Sequence, residues 1–531
     1  ITDYQWSIFF FVKKPRKIDK NIIRMRVRFK NQIKIGMTPI SEVKLNLKSR
    51  HQLLPVLRTL QYVFVTPELN EAVFKILEEK VKSGLKNTGR YGMDLWQILV
   101  LGMVRHCENA DFDKLVDMAN EHNSLRGILG VQTSDYSEGK RFYLQTVKDN
   151  VQLLDEETIG KISDVIVSGA HGLIKKKGDA DSLSLQIKAD SFVVESHIHF
   201  PTDLNLLWDS IRKSVESILF FQKEIGGLKH RCHAKSWGSK ARSAYRASSE
   251  IHRKKGANYQ ERLETSVIDY LKIAEEILVR GQEMLSALLH IMLDDKQLGE
   301  KYASRIKDFT YYLEMVKKHI DLVRRRILEG EKIPHSEKVF SIFESHVEWN
   351  SKGKANKAVE LGHNVLVATD QYHFVLYSEV YESKVDKERT IDLCDALVDK
   401  YKKPYKLESI SLDRNFYSLT AEKKLQKHFK VVILPKAGRP SKLELAQSEN
   451  EDYKTKRRKH SGVEGNINQL EHNSLDVCPD KGIVGFKRYV ALGVLAYNLK
   501  RLGKIVLEQE LLSTTIELGT PSKATRRRAV A

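Results

Sequence analysis

The sequence predicts an α/β protein: a mixed sheet flanked by helices, with a helical N-terminal segment and a large helical insertion after the first core strand. Three observations carry this expectation. Apolar residues recur at helical spacing from about residue 66 to 173, switch to alternation near residue 183, and return to long helical stripes over 204–334. From residue 338 onward, strand-like and helix-like runs alternate, as in a sheet packed between helices. At 531 residues, 41% hydrophobic and 30% charged, the chain is long enough for several domains with a sizeable core, and wholesale disorder is excluded.

Residues 1–36 form a basic extension containing Lys13-Lys14-Pro15-Arg16-Lys17. It opens on Ile and reads as a leader or as upstream reading frame, with Met25 and Met37 as candidate starts. Residues 37–176 read as a helical domain. Leu69, Val73, Ile76 and Leu77 keep helical spacing behind Pro67, and Leu95 to Val104 is apolar on every side, which makes it a buried helix. Two readings stand for this domain, a DNA-end-binding bundle and a purely structural one.

Residues 177–203 carry the first core strand. Leu183, Leu185, Ile187 and Ala189 alternate with Ser184, Gln186 and Lys188, and Asp190 follows. Pro201-Thr202-Asp203 stops the strand and caps a helix. Residues 204–335 form the helical insertion. One apolar stripe runs from Leu263 to Leu278 and another from Tyr302 to Ile327, with Asp294-Asp295-Lys296 near the turn of a helical hairpin. Ahead of the hairpin lies a basic stretch with Arg242, Arg246, Arg253 and Lys254, and with Trp237 and Tyr245. It reads either as a phosphate-tracking patch with aromatics for stacking or as a solvated helix face.

Residues 336–511 complete the sheet. Strands are expected at Val339–Phe343, His363–Ala368, His373–Ser378, Leu407–Leu412 and Val431–Pro435, and helices at Ile391–Lys400, Ala421–His428, Gly462–His472 and Phe486–Leu511. Residues 436–460 read as a linker containing Gly438-Arg439-Pro440, and 512–531 as a basic tail with Arg526-Arg527-Arg528.

The charge balance selects the partner. Lys plus Arg number 89 against 69 Asp plus Glu, a formal charge of +20, which points to nucleic acid. No apolar run approaches the roughly 20 residues that span a bilayer, so no membrane partner is expected. Cys107, Cys232, Cys394 and Cys478 lie far apart without a CxxC pair, so neither a disulfide framework nor a zinc knuckle is indicated, which suits the cytoplasm.

Against that background, Asp190 and Asp413 each follow an apolar strand-like run and Glu464 lies on a helix. Hard divalent cations prefer carboxylate oxygens, and two-metal phosphodiester cleavage needs ligands bridging ions about 3.5–4 Å apart. Taken singly, an Asp at a strand end is more often a turn or cap residue, so each acid alone has a weak claim.

The neighbourhoods of these acids carry a resemblance. Lys188-Ala189-Asp190-Ser191-Phe192-Val193-Val194-Glu195, continuing through Ile198-His199-Phe200-Pro201-Thr202-Asp203, resembles the first catalytic block of DDE transposases from bacterial insertion sequences. Ser411-Leu412-Asp413-Arg414-Asn415 looks like their second block, and Gly462-Val463-Glu464-Gly465-Asn466 is similar to their third. Phe340-Ser341-Ile342-Phe343-Glu344 through Trp349 and Lys352-Gly353-Lys354 resembles the ISNCY-type group.

The resemblance implies an RNase-H-like catalytic core in which Asp190, Asp413 and Glu464 are the catalytic residues and ligands of Mg²⁺, with Mn²⁺ able to substitute. It further implies DNA strand cleavage and strand transfer on double-stranded DNA, at terminal inverted repeats and at a target. A homodimer or larger synaptic complex in a prokaryotic, nucleoid-associated setting goes with it. Relatives carry an arginine four residues before the glutamate and a lysine seven after it; here His460 and Glu471 stand there. Arg457, Arg458 and Lys459 supply positive charge beside His460, and Glu471 is the rival third ligand. Glu195 and Asp203 are expected to be structural, one on the strand and one capping a helix, and His199 a packed or surface histidine rather than a ligand. The alternatives are an RNase-H-fold nuclease without strand transfer, and a catalytically silent DNA-binding protein derived from a transposase.

Overall fold

The computed structural model describes residues 26–29, 37–81, 92–132, 140–175, 184–225, 233–351, 358–382, 386–436, 438 and 449–517. Most of the basic extension, Cys232, Lys352-Gly353-Lys354, Arg439-Pro440 and the arginine-rich tail lie outside the described residues. The architecture is a mixed α/β one, an open sheet flanked by helices.

Seven described helices precede the first strand: α1 Leu53–Val65, α2 Pro67–Val81, α3 Leu95–Cys107, α4 Phe112–Glu121, α5 Asn123–Ile128, α6 Leu144–Val151 and α7 Glu156–Lys175. Helix α1 precedes the start expected at Thr66. Pro55 sits in its first turn, where no intrahelical N–H is needed, so this proline does not stop the helix. Every residue of α3 is buried, as its all-round apolar pattern requires. Asp111 caps α4 by accepting the Lys114 N–H at 2.8 Å.

The strands are β1 Ser184–Ser196, β2 Glu348–Ser351, β3 Val359–Thr369, β4 Val375–Tyr381, β5 Lys406–Leu412, β6 Val431–Ile433 and β7 Val477–Cys478. Their order is β2-β3-β1-β5-β6, with β4 pairing β3 and β7 pairing β1. β1 runs parallel to β5, and β5 to β6, while β2 and β3 are antiparallel. The helices α8 Asp203–Glu224, α9 Ala234–Lys254, α10 Tyr259–Asp294 and α11 Lys296–Val323 lie between β1 and β2 in sequence. After β4 come α12 Asp386–Tyr401, α13 Leu419–Gln426, α14 Glu451–Arg458, α15 Gly462–Leu470 and α16 Gly482–Glu517. Among the described residues no helix is long and apolar enough to cross a membrane.

The chain divides into two compact units, one of Ile1–Phe192, Val365–Asp476 and Lys487–Ala531, the other of Val193–Asn364 and Val477–Phe486. In the first, Trp96, Ile98 and Leu99 of α3, Ile187 and Ala189 of β1, Ile410 and Leu412 of β5, and Leu495 and Leu499 of α16 belong to one apolar cluster. Helices α16 and α1 meet backbone to backbone: a Cβ on Gly503 would lie 1.9 Å from the Pro55 carbonyl oxygen. The Thr59 hydroxyl, on α1, donates to the Leu499 carbonyl at 2.7 Å.

The second unit has its own core, with Phe221, Tyr270 and Phe309 fully buried at its centre. The expected hairpin is α10 and α11, separated by Asp295 alone, which caps α11 by accepting the Leu298 N–H at 3.0 Å. At the start of α8 the cap is Thr202, not Asp203; Asp203 is the first helical residue and pairs with Arg326 at 2.5 Å.

His319 of α11 gives this unit a pH dependence. It is wholly buried, and its Nδ1 lies 2.8 Å from the Met315 carbonyl oxygen. Among the described residues Nε2 has no hydrogen-bond partner. Burial, only partly countered by the Met315 contact, lowers its pKa below 6.5. The folded state therefore binds this proton more weakly than the unfolded chain, so stability is complete above pH 6.5 and falls with pH until the folded value is passed. An NMR titration should give His319 a midpoint below 6.5, and His319→Leu should flatten the acid limb of a denaturation-against-pH curve.

Three expectations are corrected. Val339–Phe343 is not a strand, because the Ser341 hydroxyl accepts the N–H groups of Phe343 (3.2 Å) and Glu344 (3.1 Å) and bends the chain. The strand in this region is β2. His373 belongs to the turn before β4, in left-handed conformation at φ 68°. The segment read as linker contains α14: the Asn450 side chain accepts the Asp452 N–H at 2.9 Å, and acids in the first turn with bases in the last complement the helix dipole.

Candidate metal and nucleic-acid site

The first unit builds this site from two parallel strands and one helix. Along β1 and β5, Lys188 pairs with Ser411 and Ala189 with Leu412. The pairing ends there; Asp190 continues β1 and Asp413 is the first residue past β5, so the two acids follow paired residues. Because side chains alternate, Lys188 and Asp190 share one face of β1, while Ile187 and Ala189 are buried on the other.

Asp190 is half-buried and accepts the Ser191 N–H at 2.7 Å. The Tyr381 phenol, held protonated mainly by burial and by its hydrogen bond to Asp386, also feels the Asp190 charge. Asp413 is exposed at the end of β5, preceding a short 3-10 turn, Arg414–Phe416, that its side chain does not cap. The Thr390 hydroxyl of α12 holds that turn from behind by donating to the Phe416 carbonyl at 3.1 Å.

Helix α15 packs against the Lys188 and Ser411 positions. A Cβ on Gly462 would lie 2.9 Å from the Lys188 ammonium nitrogen. His460 Nδ1 lies 3.0 Å from the Ser411 hydroxyl. Burial lowers the His460 pKa; Asp413 and Glu464 pull it back and Lys188 lowers it further. This imidazole therefore stands within electrostatic reach of an acid from β5 and an acid from α15. Burial and the Lys459 charge likewise lower the Lys188 pKa.

The sequence explains why α15 sits as it does. Val463, Ile467 and Leu470 are buried on one stripe, and Glu464 is exposed beside it. Within the stripe Asn466, 2% exposed, donates to the Thr369 hydroxyl at 2.9 Å, and its Oδ1 lies 2.9 Å from His373 Nδ1. Tyr497 of α16 donates to the same oxygen at 3.3 Å. Beyond α15 a π-turn, Glu471–Leu475, puts Ser474 at φ 86°, where its hydroxyl meets His106 Nδ1 at 2.8 Å. Asn466 and Lys188 are the residues that motif reading passed over. The usable signal was a polar residue at a helix position whose i−3, i+1 and i+4 neighbours are all apolar.

The acids named from sequence fall as follows. Asp190 and Asp413 directly follow the paired residues Ala189 and Leu412, and His460 feels the charges of both Asp413 and Glu464. Among the described residues, however, no group of three His, Cys, Asp or Glu side chains converges closely enough to hold a metal ion. Neither Asp413 nor Glu464 has a hydrogen bond or salt bridge to its carboxylate among the described residues. Glu471 is half-buried in the π-turn and engaged with a neighbour.

Arg457, Arg458 and Lys459 are exposed at the end of α14 and its following turn. In the second unit, Arg242, Arg246, Arg253 and Lys254 are exposed along α9, whose opposite side buries Ala241 and Ser248. Lys254 is paired with Glu250. His199 is surface-placed 3.3 Å from Asp209, and Glu195 is half-buried on β1.

No family model, curated protein or solved structure matches this chain.

Proposed function

We propose that the chain is a DDE-type transposase with an RNase-H-like catalytic core, which cleaves DNA at the ends of an insertion sequence and joins the exposed 3′-OH to target DNA. The observation that carries this reading is the register of β1 and β5, in which the residues just before Asp190 and Asp413 pair, together with a His460 that feels the charges of Asp413 and Glu464. A first strand flanked by β3 on one side and by parallel β5 and β6 on the other, with a helical insertion after it, supports the core assignment.

The donor set suits magnesium or manganese: three carboxylates, two of them without hydrogen bonds or ion pairs among the described residues. Asp190, Asp413 and Glu464 would hold the ions, which when bound activate the attacking oxygen and stabilise the leaving one. His460, kept neutral by burial, adds no repulsion to an arriving cation. The exposed Arg457, Arg458 and Lys459 would grip DNA phosphates. The basic α9 tracks a second stretch of backbone. A soluble cytoplasmic setting and a synaptic oligomer belong to the same proposal.

The second reading, DNA binding without cleavage, draws on the unconverged carboxylates. Incubating the purified chain with plasmids bearing the inverted repeats that flank its gene separates the readings. Transposition predicts Mg²⁺-dependent nicks at the repeat ends and joined products in a target plasmid. Nicks without joining indicate a nuclease, and bound but intact DNA indicates the silent protein.

A further inference from the structure

The second unit contains a cavity of about 480 Å³ that the cleavage chemistry does not use. This lies within the range of pockets that enclose small organic ligands, roughly 300–1,000 Å³. Its wall is aromatic: Phe200 and Trp349 rings stand 5.8 Å apart at 64°, and Phe340 and Trp349 5.5 Å apart at 38°. Phe200 is 58% exposed, an unusual amount for a phenylalanine beside other rings.

The remaining lining is cationic and polar. The side chains of Arg253, from the end of α9, and Lys338 are exposed and form no salt bridge or hydrogen bond among the described residues. The acid in the lining, Asp203, is already neutralised by Arg326, so the uncompensated charge is positive. The Ser249 hydroxyl is buried in the lining and has no hydrogen-bond partner among the described residues. Arg326 and Ile327 reach the cavity from a π-turn, Arg324–Leu328, a local irregularity that recurs at functional sites.

We propose that this cavity binds a nucleotide, with the base stacked on Phe200 against the Phe340–Trp349 pair and its phosphate on Arg253 and Lys338. A flat ring, a hydrogen-bonding edge for Ser249 and an attached dianion match the aromatic wall, the orphan hydroxyl and the free cations together. A purely apolar ligand would leave the last two unused. Its lining includes none of Asp190, Asp413 and Glu464, and it does not depend on cleavage. The nucleotide can be a free one or an unpaired residue of a DNA strand.

The test measures binding by the full chain to deoxyadenosine monophosphate, to a fully paired duplex, and to the same duplex with one unpaired nucleotide, using tryptophan quenching and fluorescence anisotropy. Base stacking on an aromatic side chain supports about a tenfold difference. Phe200→Ala should weaken binding of the mononucleotide and of the unpaired substrate about tenfold, leave the paired duplex unchanged, and be restored by Phe200→Tyr. The double change Arg253→Ala, Lys338→Ala should weaken the mononucleotide in the same way. Mononucleotide binding without preference for the unpaired duplex identifies a free nucleotide as occupant. Absence of mononucleotide binding, or equal binding by wild type and a Phe200→Ala variant with native circular dichroism, overturns the proposal.

Discussion

Asp190→Asn and Asp413→Asn are each expected to abolish Mg²⁺-dependent nicking while leaving DNA binding intact. Asparagine keeps the size of the side chain and one acceptor oxygen but removes the negative charge that a divalent cation requires. Metal stabilisation of the developing charge is worth several kcal/mol, so the loss should be on the order of a thousandfold. On the proposed reading, binding rests on the exposed bases of α14, its following turn and α9, and deleting an acid from a surface that meets phosphate would not weaken it. Nicking of end-containing DNA, read beside a mobility shift on the same sample, measures both. The third acid is separated the same way: Glu464→Gln should match the aspartate variants, and Glu471→Gln should retain activity. Undiminished nicking by purified Asp190→Asn or Asp413→Asn removes the ligand assignment.

Asp370→Ala is expected to produce the largest stability loss in the first unit. The Asp370 side chain is fully buried, and its carboxylate accepts the Tyr372 and Phe374 N–H groups, each at 2.9 Å. Its other oxygen meets Nε2 of the buried His171 at 2.6 Å, and His171 Nδ1 lies 3.0 Å from the Tyr405 hydroxyl. One carboxylate thus ties α7 to the turn between β3 and β4, the turn from which His373 reaches Asn466 on the Glu464 helix. Truncation leaves two buried N–H groups and an imidazole without their acceptor, a cost of roughly 3–5 kcal/mol by analogy with breaking a buried pair. The denaturant midpoint should fall accordingly with an unchanged slope, and Asp370→Asn, which keeps an acceptor oxygen, should lose less. An unshifted midpoint for Asp370→Ala would show that this cluster does not hold the unit together.

The elements that were legible in advance share one property: a local pattern sufficient to define them. The all-apolar α3, the alternation of β1, the paired stripes of α10 and α11, and the β5 run leading to Asp413 could each be read from spacing. The misses came from local chemistry that spacing does not weigh. Val339–Phe343 has strand composition, but the Ser341 hydroxyl captures two backbone N–H groups and turns it. Helix α14 is almost wholly polar, so no apolar stripe announces it; the Asn450 cap and the charge gradient form it instead. Motif reading likewise gave roles to Asp190, Asp413 and Glu464 but none to Asn466, whose role exists only through Thr369, His373 and Tyr497.

By itself the amino-acid order determined the basic character of the chain, the mixed α/β composition and the identity of the acids worth testing, because charge, periodicity and motif are properties of neighbouring residues. Only the tertiary structure decided that Ala189, just before Asp190, pairs with Leu412, just before Asp413, and that His460 feels the charges of both Asp413 and Glu464. It alone gathered Phe200, Arg253, Lys338 and Trp349 around one cavity. Register between strands and contact between distant helices are fixed by burying apolar area across long stretches of chain, and that balance is struck over the whole core rather than within any window of sequence.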